Sequence, residues 1–106
     1  MLAERSAPDP FLDTFTGLVA ARAVTTAVML GVFDALHDAP ATPAQLAERL
    51  GLDPLGAETL LAALLALGYV EHDAEQARNT DVSERLLVRS SPESIATFIG
   101  HQGDLH

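Results

Sequence analysis

Cysteine, tryptophan and lysine are all missing from this 106-residue chain, and tyrosine occurs once. Without cysteine there is no disulfide framework, no thiolate zinc site and no cysteine nucleophile, a composition that suits a reducing cytoplasm. Without lysine, six arginines face fifteen acids, a formal net charge of −9. Such a surface repels nucleic acid phosphates and anionic lipid headgroups, so neither nucleic acid nor membrane is expected as a partner. A secretory signal is missing too: Met1 to Pro10 contains Glu4 and Asp9 and runs into proline with no apolar h-region. The longest apolar stretch, Leu18 to Phe33, is interrupted by Arg22 and two threonines and is short for a bilayer span. What remains is 48% hydrophobic, enough for one compact, soluble, cytoplasmic domain and too much for a disordered chain.

Residues 1–9 read as a loose N-terminal arm. From Pro10 a helical pattern begins, with Phe11, Leu12, Phe15, Leu18 and Val19 recurring at helical spacings, and it continues with few polar interruptions to Leu30 and past Gly31 to Leu36. A helix apolar around most of its circumference needs cover on more than one side. A domain this small offers one core, so a second subunit is the expected cover. Thr42-Pro43-Ala44-Gln45 is a capping box with proline at the first helical position, opening a short helix that stops at Gly51. Asp53-Pro54 caps a second helix ending at Gly68, and the pair makes a helix-turn-helix. Tyr69–Asp73 has strand character, Ala74–Ala77 a turn, and Arg78–Thr80 a returning strand: a wing. Asp81-Val82-Ser83-Glu84 reads as another capping box, and Ser91-Pro92-Glu93 as the cap of a last helix through Ile95, Phe98 and Ile99. The expected fold is mainly α, a winged helix-turn-helix over residues 10–90 with a two-stranded hairpin wing and a long N-terminal dimerisation helix. Residues 91–106 are expected to form a linking helix.

A winged helix suggests DNA reading, but the helix that would enter the major groove is PLGAETLLAALLAL, with no Arg, Lys, Asn or Gln to read base edges and Glu58 as its one charge. The wing sets Glu71, Asp73 and Glu75 against Arg78 alone. On a helical wheel at about 100° per residue, Leu60, Leu61, Leu64, Leu65 and Leu67 fall on one broad arc, expected to face the core. The other arc, with Gly56, Thr59, Ala62, Ala63 and Ala66, is small and neutral and suits close approach by protein; helix propensity alone would select a similar solvent face.

No catalytic constellation is found. His37, His72, His101 and His106 are scattered; His101 and His106 flank Asp104, but not at the i, i+4 spacing of helical metal ligands. Gly100 and Gly103 follow a helix instead of a strand, so they make no phosphate cradle, and no alternation of β and α builds a nucleotide fold. Catalytic, cofactor-binding and metal-binding residues are therefore expected to be none.

Several strings, in order, resemble one family. Leu30-Gly31-Val32-Phe33-Asp34-Ala35-Leu36 is similar to its "LG-(I/V/L)-F-D-x-L" step, and Thr42–Leu52 to its "T-x-x-(E/Q)-L-A-x-x-L-G-(L/V)" helix-turn. Leu60–Val70 resembles its "LL-x-x-L-x-x-(L)-G" segment, and Asn79-Thr80, Leu86-Leu87-Val88 and Ser90-Ser91-Pro92 the close of its wing. The family is the N-terminal domain of class I S-adenosylmethionine-dependent O-methyltransferases, of the plant caffeate and bacterial antibiotic-tailoring types. The resemblance implies a homodimer with interlocked N-terminal helices and a catalytic domain following, absent from this chain, that binds S-adenosylmethionine and a phenolic or polyketide-like small-molecule acceptor. It points to Phe11, Phe15, Leu18, Val19, Gly56, Thr59 and Ala63 as dimer-interface residues, and to Phe15, Phe98, His101, Gln102 and His106 as lining the acceptor pocket. Alternatives are a winged-helix transcription regulator and a small protein–protein adaptor.

Overall fold

The computed structural model describes residues 10–99, with side-chain surroundings over 17–99. The expected arm, residues 1–9, lies outside the described residues. Helix α1, Pro10–Leu30, is followed after one residue by α2, Val32–Asp38, bent 59° from it. The break is at Gly31, whose φ of 82° is a left-handed conformation that an L side chain adopts only under strain. It splits one apolar run between two tasks. Helix α2 turns inward and buries Val32, Phe33 and Leu36, whereas Leu18, Val19, Met29 and Leu30 on α1 stay exposed.

Helix α3, Pro43–Leu50, opens on the expected capping box: the Gln45 amide donates to Thr42 Oγ1 at 3.2 Å and the Thr42 amide to Gln45 Oε1 at 2.9 Å. It stops at Gly51, φ 68°, and α4, Pro54–Leu67, leaves at 117° to it. Asp53 caps α4 by accepting from the Gly56 amide at 3.0 Å. Strands β1, Val70–Asp73, and β2, Gln76–Asn79, pair antiparallel with Val70 opposite Asn79. Ala41 bridges to Ala77, tying the ribbon to the segment before α3. The short helix α5, Asp81–Leu86, completes a mostly helical, winged-helix-like domain. The core gathers Val28, Val32, Phe33 and Leu36 with Leu46, Leu61, Leu64, Val70 and Val88.

Four local expectations are corrected. On α4 the buried residues are Ala57, Leu61 and Leu64, with Leu60 half-buried, while Leu65 and Leu67 are exposed. Residues 57, 60, 61 and 64 are one stripe at i, i+3, i+4 and i+7; Leu65 falls to one side of it, while Leu67 keeps in line with Leu60 but is the last residue of the helix, so angle and position along the helix, not side-chain size, decide burial. The hairpin turn is Ala74-Glu75 alone, since Gln76 and Ala77 already pair with Asp73 and His72, and Ala74 takes a φ of 60° to close it. Helix α5 has Thr80 in place of Asp81 at its N-cap position, with no side-chain cap and no capping box. The Thr80 hydroxyl donates to the Gly68 carbonyl at 2.9 Å, and the Glu84 carboxylate is engaged by His37 and Asn79. Finally, residues 91–93 form a turn, and the last described helical turn, residues 96–99, starts where Ser94 Oγ accepts from the Ala96 amide at 3.1 Å.

Polar contacts concentrate on the side of α2, β2 and α5. Asn79, buried, donates through Nδ2 to the Phe33 carbonyl at 2.9 Å and to Glu84 Oε2 at 2.8 Å. Asp34 accepts from both the Arg89 backbone amide and its guanidinium, each at 2.8 Å, and the same guanidinium reaches the Val28 carbonyl at 3.3 Å. Arg89 thus braces the Gly31 bend from both sides.

Candidate subunit interface

Helices α1 and α4 pack side by side and leave a shallow groove between them. One wall carries Val19, Arg22, Ala23 and Thr26, which recur every three or four residues along α1; the other carries Leu55, Gly56, Thr59, Leu60 and Ala63 on α4, with Asp53 at its end. Small residues (Ala23, Gly56, Thr59 and Ala63) make up much of the lining, with Val19, Leu55 and Leu60 as its larger apolar members. Leu18, Val19 and Leu55 are 56%, 51% and 69% exposed, more apolar surface than solvent favours on so short a stretch.

Of the residues singled out from the sequence, this groove brings together Val19, Gly56, Thr59 and Ala63. Leu18 stands exposed beside Val19 on the same helix. Phe11 and Phe15 belong to α1, but their side chains lie outside the described surroundings. Phe98 is 63% exposed on the last helical turn, away from the groove lining. His101, Gln102 and His106 lie outside the described residues. Sequence reasoning missed Arg22, Ala23 and Thr26, although they continue the spacing of Val19 on α1. It also passed over Leu55 and Asp53 at the mouth of the groove.

Among the described residues, the surface that DNA would meet, α4 and the wing, carries no cation free of a carboxylate partner. The exposed residues of α4 are apolar or small apart from Glu58, and Arg78 on the wing is held by Glu71 at 2.7 Å and lies 3.9 Å from Asp73. That hydrogen bond and the neighbouring carboxylates raise the Arg78 pKa further, so its charge is permanent and already balanced. A second cleft, between α2 and α3, is lined by Asp34, Asp38 and Arg49, but Asp34 is occupied by Arg89 and Arg49 by the carbonyls of Ala39 and Pro40. It holds no nucleophile with an adjacent base. Among the described residues, no three of His, Asp or Glu converge as a metal site would require. Among the described residues, the one close histidine–carboxylate pair, His37 Nδ1 and Glu84 Oε1 at 2.7 Å, is exposed and lines neither cleft; its hydrogen bond, followed by the charge of Glu84, raises the His37 pKa above 6.5.

A family profile for the O-methyltransferase dimerisation domain matches residues 12–89, a span that includes every residue of the groove. The 3-hydroxy-5-methyl-1-naphthoate 3-O-methyltransferase of Streptomyces sahachiroi is 36% identical over 92 residues, 87% of this chain and 27% of that protein. The N,N-dimethyltransferase OxyT of Streptomyces rimosus is 37% identical over 91 residues, 85% of this chain and 26% of that one. The crystal structure of human N-acetylserotonin methyltransferase in complex with S-adenosylmethionine superposes with a TM-score of 0.78 at 30% identity, covering 92% of this chain and 31% of that one. The chain therefore spans about a quarter of the length of the curated relatives it matches. A helix-turn-helix stripped of base-reading groups, with a wing whose arginine is already paired and an apolar groove left open along its longest helix, belongs to the O-methyltransferase dimerisation domain family.

Proposed function

We propose that this chain is the homodimerising and substrate-capping module of an S-adenosylmethionine-dependent O-methyltransferase acting on a phenolic or polyketide-like natural product, in the cytoplasm. The observation that carries the reading is the α1/α4 groove: a smooth, small-residue channel beside exposed Leu18, Val19 and Leu55, placed so that the ridge of one copy can seat in the channel of another. Among the described residues no single helix is long and apolar enough to cross a membrane.

The module's part in the reaction is assembly and enclosure. Nothing among the described residues suits the methyl donor, because the two strands form a hairpin with no glycine-rich turn from strand to helix. The donor and the base that activates the acceptor would be supplied by the following part of the enzyme, as the resemblance implies. Phe98, exposed near the end of the described chain, is the residue best placed to meet an aromatic acceptor. Phe15, His101, Gln102 and His106 are its proposed neighbours, and residues 91–106 the proposed link to the catalytic part.

Sedimentation at micromolar concentration tests the dimer. A Cβ at Gly56 meets nothing closer than Asp53 at 3.8 Å, so a side chain can leave the backbone there without a clash, and Gly56→Leu is designed to fill the groove. The expected result is a dimeric parent and a monomeric Gly56→Leu with unchanged helical circular dichroism. A monomeric parent would overturn the reading.

A further inference from the structure

Two opposite charges line the otherwise neutral groove, Arg22 on α1 and Asp53 at the start of α4. Within one chain they do not pair with each other, and neither takes part in the ion pairs made among the described residues. Asp53 engages one carboxylate oxygen, Oδ2, in capping α4; no described hydrogen bond uses the other. We infer that Arg22 of each copy pairs with the partner subunit's Asp53 across a two-fold axis, and that these two pairs set the register of the dimer.

This rests on the groove being covered by a second copy. Given that, the charges decide how. Covering Arg22 with apolar surface would leave a desolvated guanidinium without compensation, which is costly, whereas a carboxylate opposite it offsets the loss. Asp53 is the one anion lining the groove, and a two-fold places residue i against j and j against i, so a single kind of contact satisfies both charges on both copies. The small residues between them, Gly56, Thr59 and Ala63, allow the approach but do not choose among sliding positions. The charges do. A displacement by one helical turn, about 5.4 Å, would carry each guanidinium out of reach of its carboxylate.

A double-mutant cycle on the dimer dissociation constant tests the pairing, using the whole chain with Arg22→Met, Asp53→Asn and both together. Asparagine caps a helix as well as aspartate does, so Asp53→Asn removes the charge and keeps α4 capped. Each single change is expected to weaken the dimer by roughly tenfold, since two pairs are lost per dimer, and the double change to weaken it no further than the worse single one. If the parent is dimeric and the single effects are absent or simply multiply, the pairing is wrong while the dimer stands. If the parent sediments as a monomer, both fall together.

Discussion

The two sides of this domain are held by different physics. Around α2, β2 and α5 the contacts are directional: Asn79 to Phe33 and Glu84, Asp34 to Arg89, and the Ser83 hydroxyl to the Tyr69 carbonyl at 2.6 Å. Along α1 and α4 they are almost entirely apolar, and one flank of that packing is left open. The polar side can be satisfied within one chain almost entirely, with the buried Asn79 Oδ1 as its one unpartnered side-chain atom among the described residues. The apolar side cannot, and that asymmetry marks where an external partner belongs.

Truncation tests the contrast most severely where the two sides share a core. Leu64 is fully buried, and Leu64→Ala should cost about 2–5 kcal/mol in chemical denaturation, against a few tenths for Thr59→Ala one turn away on the groove face. A similar cost at both positions would mean the groove face is packed within the monomer. Asn79→Ala probes the polar side alone. It leaves the Phe33 carbonyl without its side-chain donor and should destabilise by about 1–3 kcal/mol while leaving the association constant unchanged. A change confined to association would place Asn79 on the wrong side of the comparison.

The smallest effect is at the His37–Glu84 contact. The fold raises the histidine's pKa above 6.5, first through the Glu84 hydrogen bond, then through its charge and those of Asp38 and Asp34. The stabilisation is therefore complete below pH 6.5 and disappears as the pH climbs through the raised value. In an NMR titration the His37 midpoint should lie above 6.5 and move back toward it in Glu84→Gln. A parent midpoint at or below 6.5 would show the pair unformed in solution.

Much of the domain was legible from local punctuation. Thr42, Pro43 and Gln45 mark a helix start, and Gly51 its end, because the backbone groups there have few ways to be satisfied. The same reading failed at α5, where the local sequence points to Asp81 as the cap: the helix starts one residue earlier, with Thr80 at the N-cap, whose hydroxyl is taken by Gly68, while Glu84 is taken by His37 and Asn79. Such contacts join residues up to 47 positions apart and leave no local trace. The groove was half visible. The small arc of α4 announced itself in composition, but which stripe of the uniformly apolar α1 faces it depends on the bend at Gly31, and periodicity cannot choose a face when nearly all faces are alike.

Arg89 ties that bend to a distant part of the chain. Its guanidinium touches a carbonyl on α1 and a carboxylate on α2, so the angle between the two helices is fastened from a position 61 residues beyond the first of them. The left-handed Gly31 and the core packing of Val28, Val32 and Phe33 set the elbow, and Arg89 locks it from outside the groove. A change at Arg89 would therefore reshape the contour offered to a partner without touching any residue that lines it.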